Sequence, residues 1–204
     1  MSTIHHAISI AILPATVLLA VAALVSIRAT SQDAFTQPVF DYHIIDHNRL
    51  EFPANYREWI FLSAGRGMTY GPSANSNGPP RFDNVFVNPG AYREFLKSGR
   101  WPAGAIFVLE VRNAVTEGSI NKGGQFQKEL IGIEVEIKDR RFTETDGWGF
   151  FEFGPDQKPA KQVAKGESCY TCHSTHGAVE QTFVQFYPTL IPIAEKHGTL
   201  KPRP

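Results

Sequence analysis

The only two cysteines of the chain lie three positions apart and are followed directly by a histidine, in the run Cys169-Tyr170-Thr171-Cys172-His173. This C-x-x-C-H spacing is typical of c-type haem attachment, because two thiols on one helical turn can each form a thioether to a porphyrin vinyl group. The next side chain then presents an imidazole to the iron. The motif therefore predicts one covalently attached haem c, with His173 as the axial iron ligand.

Three other interpretations of the cysteines compete with haem attachment. A thioredoxin-like redox pair would lie near a βαβ pattern, which the surrounding sequence lacks. A zinc site would need further ligands, and only His176 is close. A structural disulfide across so short a loop would stabilise little. A redox pair would also leave the neighbouring histidine without a role, whereas haem attachment gives it one.

The sequence offers no well-placed second iron ligand. Met68 lies in a long loop rich in Gly and Ser. The other candidates are His43, His47, His176 and His197. A packing or surface role is more usual for each of these residues. We therefore expect an open or water-occupied position on the iron, which could bind a small molecule.

The first 31 residues read as a targeting segment. Residues 7–27 are apolar and uncharged over nearly the length that spans a membrane. They predict either a signal peptide, cleaved near Ala29-Thr30-Ser31, or an uncleaved N-terminal anchor. Either alternative places the body of the protein in the periplasm, soluble after cleavage or anchored to the inner membrane.

Composition favours a single folded domain after this segment. The 204 residues include 20 Lys and Arg and 20 Asp and Glu, and this zero net charge argues against nucleic-acid binding. With 42% hydrophobic residues, the chain is not disordered by composition. We expect an irregular leader over 32–54, a haem domain over 55–198 and a tail over 199–204.

The body predicts an α+β fold, mainly an antiparallel sheet with flanking helices. Strands are predicted over 82–87, 104–112, 126–138 and 148–153. On the second of these strands, an apolar face that includes Phe107 and Leu109 should point inward. The alternation over 126–138 indicates a half-buried strand, with its isoleucines and Val135 on one face and its glutamates on the other.

Helices are predicted around the sheet. Asn88-Pro89 should begin one and Gly99 should end it, with Tyr92, Phe95 and Leu96 as an apolar stripe. A short helix is expected within 55–61, followed by a long loop over 63–81. The chain becomes helical from about residue 159, so the haem motif should lie in a helical C-terminal part.

These features resemble the cytochrome P-460 family, which includes the β-type cytochromes c-prime. The resemblance spans about residues 50–195 and includes the haem motif. Its other stretches are 55–59 (NYREW), Asn88-Pro89, Gly104-Ala105, Ile133-Glu134, 148–153 (WGFFEF) and 183–188 (FVQFYP). The resemblance implies an antiparallel sheet packed with helices, a single covalent haem and a homodimer.

The family that the chain resembles includes proteins with two different activities. Cytochromes P-460 proper carry a lysine bonded to the porphyrin edge and oxidise hydroxylamine, whereas the β-type cytochromes c-prime lack this bond and bind nitric oxide or carbon monoxide in an apolar pocket. The resemblance puts Leu109 at the lysine position, and no lysine occurs between Lys97 and Lys122. It also puts Asp83 where the cross-linked proteins tend to have a basic residue.

Nitric oxide binding is therefore the expected function, with Phe107 and Leu109 as walls of the haem pocket. Phe107 could equally be ordinary core. A hydroxylamine-oxidising enzyme and a low-spin electron carrier are the alternatives, and Asp83 could serve the first of these as a base.

Overall fold

The computed structural model describes residues 42–45, 48–69 and 79–202, all within one compact unit, Val39–Pro204. The strands are β1 (Ile44–Ile45), β2 (Arg49–Leu50), β3 (Ile60–Arg66), β4 (Arg81–Val87), β5 (Ile106–Val115), β6 (Phe126–Lys138), β7 (Trp148–Phe153) and β8 (Ala160–Lys161). The helices are α1 (Pro89–Ser98), α2 (Ser168–His176) and α3 (Ile191–Lys196). The predicted targeting segment, 1–31, lies outside the described residues. Within them, no helix is long and apolar enough to cross a membrane.

The main sheet is an antiparallel meander of five strands in the order β3-β4-β5-β6-β7. Each strand pairs with the next strand in the chain, as alternating strands with short connections favour. A small second sheet joins β1, β2 and β8. The predicted α+β class is confirmed, and β6 and β7 have the predicted bounds.

Helix α1 begins and ends at the predicted residues. Gly99 ends it in the left-handed conformation, with φ of 65°, which glycine adopts without steric cost. Asn88 does not cap the helix through its side chain; it accepts a hydrogen bond from the Ile106 amide at 3.0 Å and donates one to the Gly104 carbonyl at 3.1 Å. Asn88 therefore joins the start of α1 to β5. In the predicted stripe Phe95 is fully buried, but Leu96 is 39% exposed.

The first part of the domain meets the expectation of a short helix within 55–61 only in part, and the expected loop and leader are more ordered than predicted. Residues Tyr56–Glu58 form only a single helical turn, and β3 occupies positions predicted to be helix and loop. The predicted irregular leader contains β1 and β2, and Leu50 is fully buried there. Pairing with β8, more than 100 positions away, orders this short segment, and local sequence gives no signal of it.

Both faces of the main sheet are covered, whereas the alternation over 126–138 predicted a strand with one face exposed to solvent. Phe107, Trp148 and Phe150 belong to a cluster on the α1 side. Ile106, Val108 and Val135 are among the members of a second cluster on the opposite face. The inward face predicted for β5 is correct, but its other face is buried as well.

Candidate functional site

Helix α2 presents the Cys-His motif to the main sheet on one face. Cys169, Cys172 and His173 occupy positions i, i+3 and i+4 of the helix, and side chains at this spacing are neighbours. All three line a cavity of about 430 Å³ between the helix and the sheet, a size within the usual range for small-molecule and cofactor sites.

The wall opposite α2 is built from two rows of side chains that run across β4 to β7. One row is Val85, Leu109, Glu134 and Glu152, and the next is Val87, Phe107, Glu136 and Phe150. All of them except Val87 line the cavity. Phe183, Phe186 and Tyr187 line it from the C-terminal segment. Because side chains alternate along a strand, strict pairing of β4 to β7 brings residues distant in sequence onto one wall.

The structure brings every predicted site residue to this single cavity. Cys169, Cys172, His173, Phe107, Leu109 and Asp83 all line it. Met68 lines it as well, and its thioether fills the space that a side chain at Gly65 would need. Of the other candidate ligands, His43, His176 and His197 do not line it, and His47 lies outside the described residues.

The His173 ring is held firmly through one of its nitrogens. Nδ1 lies 2.8 Å from the Gln181 carbonyl oxygen and 3.2 Å from Oε2 of Glu136. The ring packs against Phe150 and Phe183, with centroids 4.8 Å and 4.3 Å away. Burial opposes protonation of the ring, but the Glu136 carboxylate and the Gln181 carbonyl outweigh it and raise the pKa of His173.

Hydrogen bonding at Nδ1 decides what the other nitrogen can do. Both neighbours of Nδ1 are acceptors, so Nδ1 carries the hydrogen of the neutral ring. Nε2, which has no hydrogen-bond partner in the described part of the chain, keeps its lone pair for a metal. This arrangement, with one ring nitrogen bound to an acceptor and the other free, is typical of metal-ligating histidines.

The two cysteines are free, partly buried thiols. Burial, with a 3.4 Å contact to Glu152, raises the pKa of Cys169 to about 12. Burial also raises the pKa of Cys172. Reactive redox pairs carry low-pKa thiolates, whereas burial disfavours the thiolate form of both cysteines. Across the ranges that the structure describes, no three His, Cys, Asp or Glu side chains form a metal-binding group, whereas a haem iron needs only one or two protein ligands.

The cavity is less apolar than the sequence led us to expect. Four carboxylates line it: Asp83, Glu134, Glu136 and Glu152. Burial raises the pKa of Asp83. Burial and the neighbouring charge of Glu152 raise the pKa of Glu134, whose side chain remains accessible from the cavity. The glutamates were missed because a charged face on a strand ordinarily indicates solvent.

A cavity between a sheet and a C-x-x-C-H helix, with two thiols and a metal-competent imidazole on one wall, fits a haem. Glu136 adds a buried oxygen, Oε1, that has no hydrogen-bond partner among the described residues. This oxygen is therefore available to accept a hydrogen bond from a bound group. Fold and site together define a haem-binding cytochrome.

Comparison with known families agrees with this class. The family model for Cytochrome P460 matches residues 53–184, and the chain belongs to that family. The suspected resemblance is thereby confirmed. No curated protein matches the chain.

Proposed function

We propose that the protein is an exported monohaem c-type cytochrome whose iron has one open side for nitric oxide or another small nitrogen ligand. Cys169 and Cys172 would hold the haem through thioethers, and His173 would bind its iron. The common orientation of these three side chains towards one cavity supports the attachment. Bound haem supplies an iron that changes oxidation state and can hold a diatomic ligand.

The residue at position 109 is the main reason to prefer nitric oxide binding over hydroxylamine oxidation. Leu109 is in register with Val85 and Glu134 on the cavity wall. None of the described residues that line the cavity is a lysine, so this wall offers no amine for a second covalent link to the porphyrin. Leu109 and Phe107 instead present apolar side chains to the cavity and would offer no hydrogen bond to a ligand bound there.

Hydroxylamine oxidation is the second candidate, and the cavity carboxylates favour it. Oxidising hydroxylamine requires groups that accept its protons, and a carboxylate with a raised pKa accepts protons more readily near neutral pH. Asp83 and Glu134 both have raised pKa values. The position of Met68 on the cavity wall favours a third candidate, a six-coordinate electron carrier.

Location and assembly follow from the sequence rather than from the described residues. The apolar stretch 7–27 supports export to the periplasm, either with cleavage or with anchoring to the inner membrane. Attachment of c-type haem outside the bacterial cytoplasm agrees with this. The family resemblance supports a homodimer. The zero net charge of the chain argues against nucleic acid as a partner.

The spectrum and mass of the purified haem protein test these candidates. We expect the processed chain plus one haem, a high-spin ferrous spectrum without a strong red shift of the Soret band, and reversible nitric oxide binding. A peptide spanning residues 98–112 with haem mass attached, or repeated turnover of hydroxylamine, would refute the gas-binding proposal. Sharp low-spin bands that become high-spin in Met68→Leu would establish the electron carrier instead.

A further inference from the structure

Glu136 is a buried carboxylate that haem attachment alone does not explain. It lies on β6 between Phe107 and Phe150 of the neighbouring strands, and only 8% of its surface is exposed. Its Oε2 lies 3.2 Å from Nδ1 of His173. Burying a carboxylate is costly unless a polarised donor faces it. The contact with Nδ1 of His173 therefore offsets part of the cost of burying Glu136, whose Oε1 has no hydrogen-bond partner among the described residues.

The single hydrogen of Nδ1 lies between two acceptors. The nearer one is the neutral Gln181 carbonyl at 2.8 Å, and the Gln181 side chain in turn donates to the Thr145 carbonyl at 3.1 Å. Glu136 places a carboxyl oxygen beside the same nitrogen; burial raises the pKa of this carboxyl, and the contact with His173 opposes that rise. A carboxylate that draws on one N–H of an imidazole makes the other nitrogen a stronger donor to a metal.

We propose that Glu136 is a positioning residue that, by accepting a hydrogen bond from Nδ1 of His173, orients the imidazole and lowers the reduction potential of the haem iron. The inference rests on the proposed role of His173 as axial ligand. The nearest cation on the same face of β6 does not cancel the effect. Lys138 is engaged by Glu180 at 2.5 Å and by the Trp101 carbonyl at 2.7 Å.

The reduction potential of the haem-loaded protein tests the inference. Loss of a group that hydrogen-bonds a metal-ligating histidine typically changes affinity or activity 10- to 100-fold. For Glu136→Gln we expect the reduction equilibrium to move about tenfold towards ferrous haem, which is about 59 mV for one electron. Glu134→Gln is the matched control, because it removes the same charge from the same face of β6 without touching the His173 bond. Equal shifts in the two variants would overturn the inference.

The iron–histidine stretching frequency provides a second readout. It should be high in the unaltered ferrous protein, as for a carboxylate-bonded imidazole, and should fall in Glu136→Gln but not in Glu134→Gln. If Glu136→Gln fails to take up haem, Glu136→Asp draws the carboxylate back from Nδ1 while keeping its charge and should show the same fall. A low frequency in the unaltered protein, equal to that of a carbonyl-bonded histidine, would overturn the inference without any variant.

His173→Ala separates this inference from the proposed function. If His173→Ala leaves the ferrous spectrum unchanged, the axial-ligand assignment itself is wrong. If His173→Ala changes the spectrum while Glu136→Gln moves neither the potential nor the stretching frequency beyond the control, only the role of Glu136 is wrong.

Discussion

Phe107→Ala is the substitution that separates a pocket wall from ordinary core. Phe107 is 3% exposed and lies edge-on to Trp101, with centroids 4.6 Å apart, while Trp148 lies at 6.4 Å. Its ring also lines the cavity. The substitution therefore removes core contacts and at the same time enlarges the space beside the proposed haem.

The expected loss of stability follows from these contacts. Phe→Ala in a core costs about 3–5 kcal/mol, and aromatic pairing contributes about 0.5–1.5 kcal/mol beyond the buried area. Because one side of the Phe107 ring borders the cavity rather than packed protein, we expect a value near the lower limit, about 3 kcal/mol. With a urea slope of about 2 kcal/mol per M, the unfolding midpoint should fall by about 1.5 M.

Two assays on the haem-loaded protein check this prediction. Urea unfolding followed by far-UV circular dichroism gives the midpoint and slope, and stopped-flow mixing gives the rate of nitric oxide association. Phe107→Leu keeps most of the volume and should cost less than about 1.5 kcal/mol. A midpoint change below about 0.5 M in Phe107→Ala would contradict the packing estimate. A full loss of stability with an unchanged association rate would mean that Phe107 is core and not a wall of the ligand site.

Three further predictions concern attachment, charge and the join between α1 and β5. Replacing both Cys169 and Cys172 with Ala should make the haem extractable by acid-acetone, and haem that stays bound would reveal another covalent tether. Glu134→Gln should raise the free energy of unfolding at pH 7–8, because the raised pKa of Glu134 shows that its ionised form is unfavourable in the folded protein. This gain in stability should vanish below the ordinary pKa of 4.5, where the glutamate is protonated in both the folded and the unfolded protein. A gain that persists at pH 4 would rule out this cause. Asn88→Ala leaves the Gly104 carbonyl and the Ile106 amide without their partner, so it should cost about 2–3 kcal/mol in urea unfolding; a loss below about 0.5 kcal/mol would show that water replaces both bonds.

Local patterns predicted much of the sheet, and pairing between distant segments explains what they missed. Alternation over 126–138 and the aromatic run 148–153 gave β6 and β7 because each strand carries its own signal. Strand β3, with the sequence IFLSAGR, has no clear alternation and contains Ser and Gly, so it depends on pairing with β4. Strands β1 and β2 have two residues each, too few for any periodicity.

The site was predictable to the extent that chemistry resides in a motif. The C-x-x-C-H spacing identified Cys169, Cys172 and His173 as site residues. Glu134 and Glu136 did not, because a glutamate that alternates with isoleucine looks the same whether it faces water or a cofactor. Only the register between β6 and its neighbours, together with the helix above them, distinguishes the two environments.

Helix α2 contains no buried residue at all, and this has a consequence for how the protein holds its C-terminal segment. A helix ordinarily docks by burying an apolar stripe, whereas α2 docks through partly buried side chains, with Cys169 and Tyr170 packed against the core cluster on the α1 side. The strands of the meander contact their neighbours in sequence and can form early, whereas His173 and Glu136 are 37 positions apart and can meet only afterwards. A haem attached to α2 as proposed would cover the cavity side of this helix, so the cofactor would also hold the C-terminal segment against the sheet.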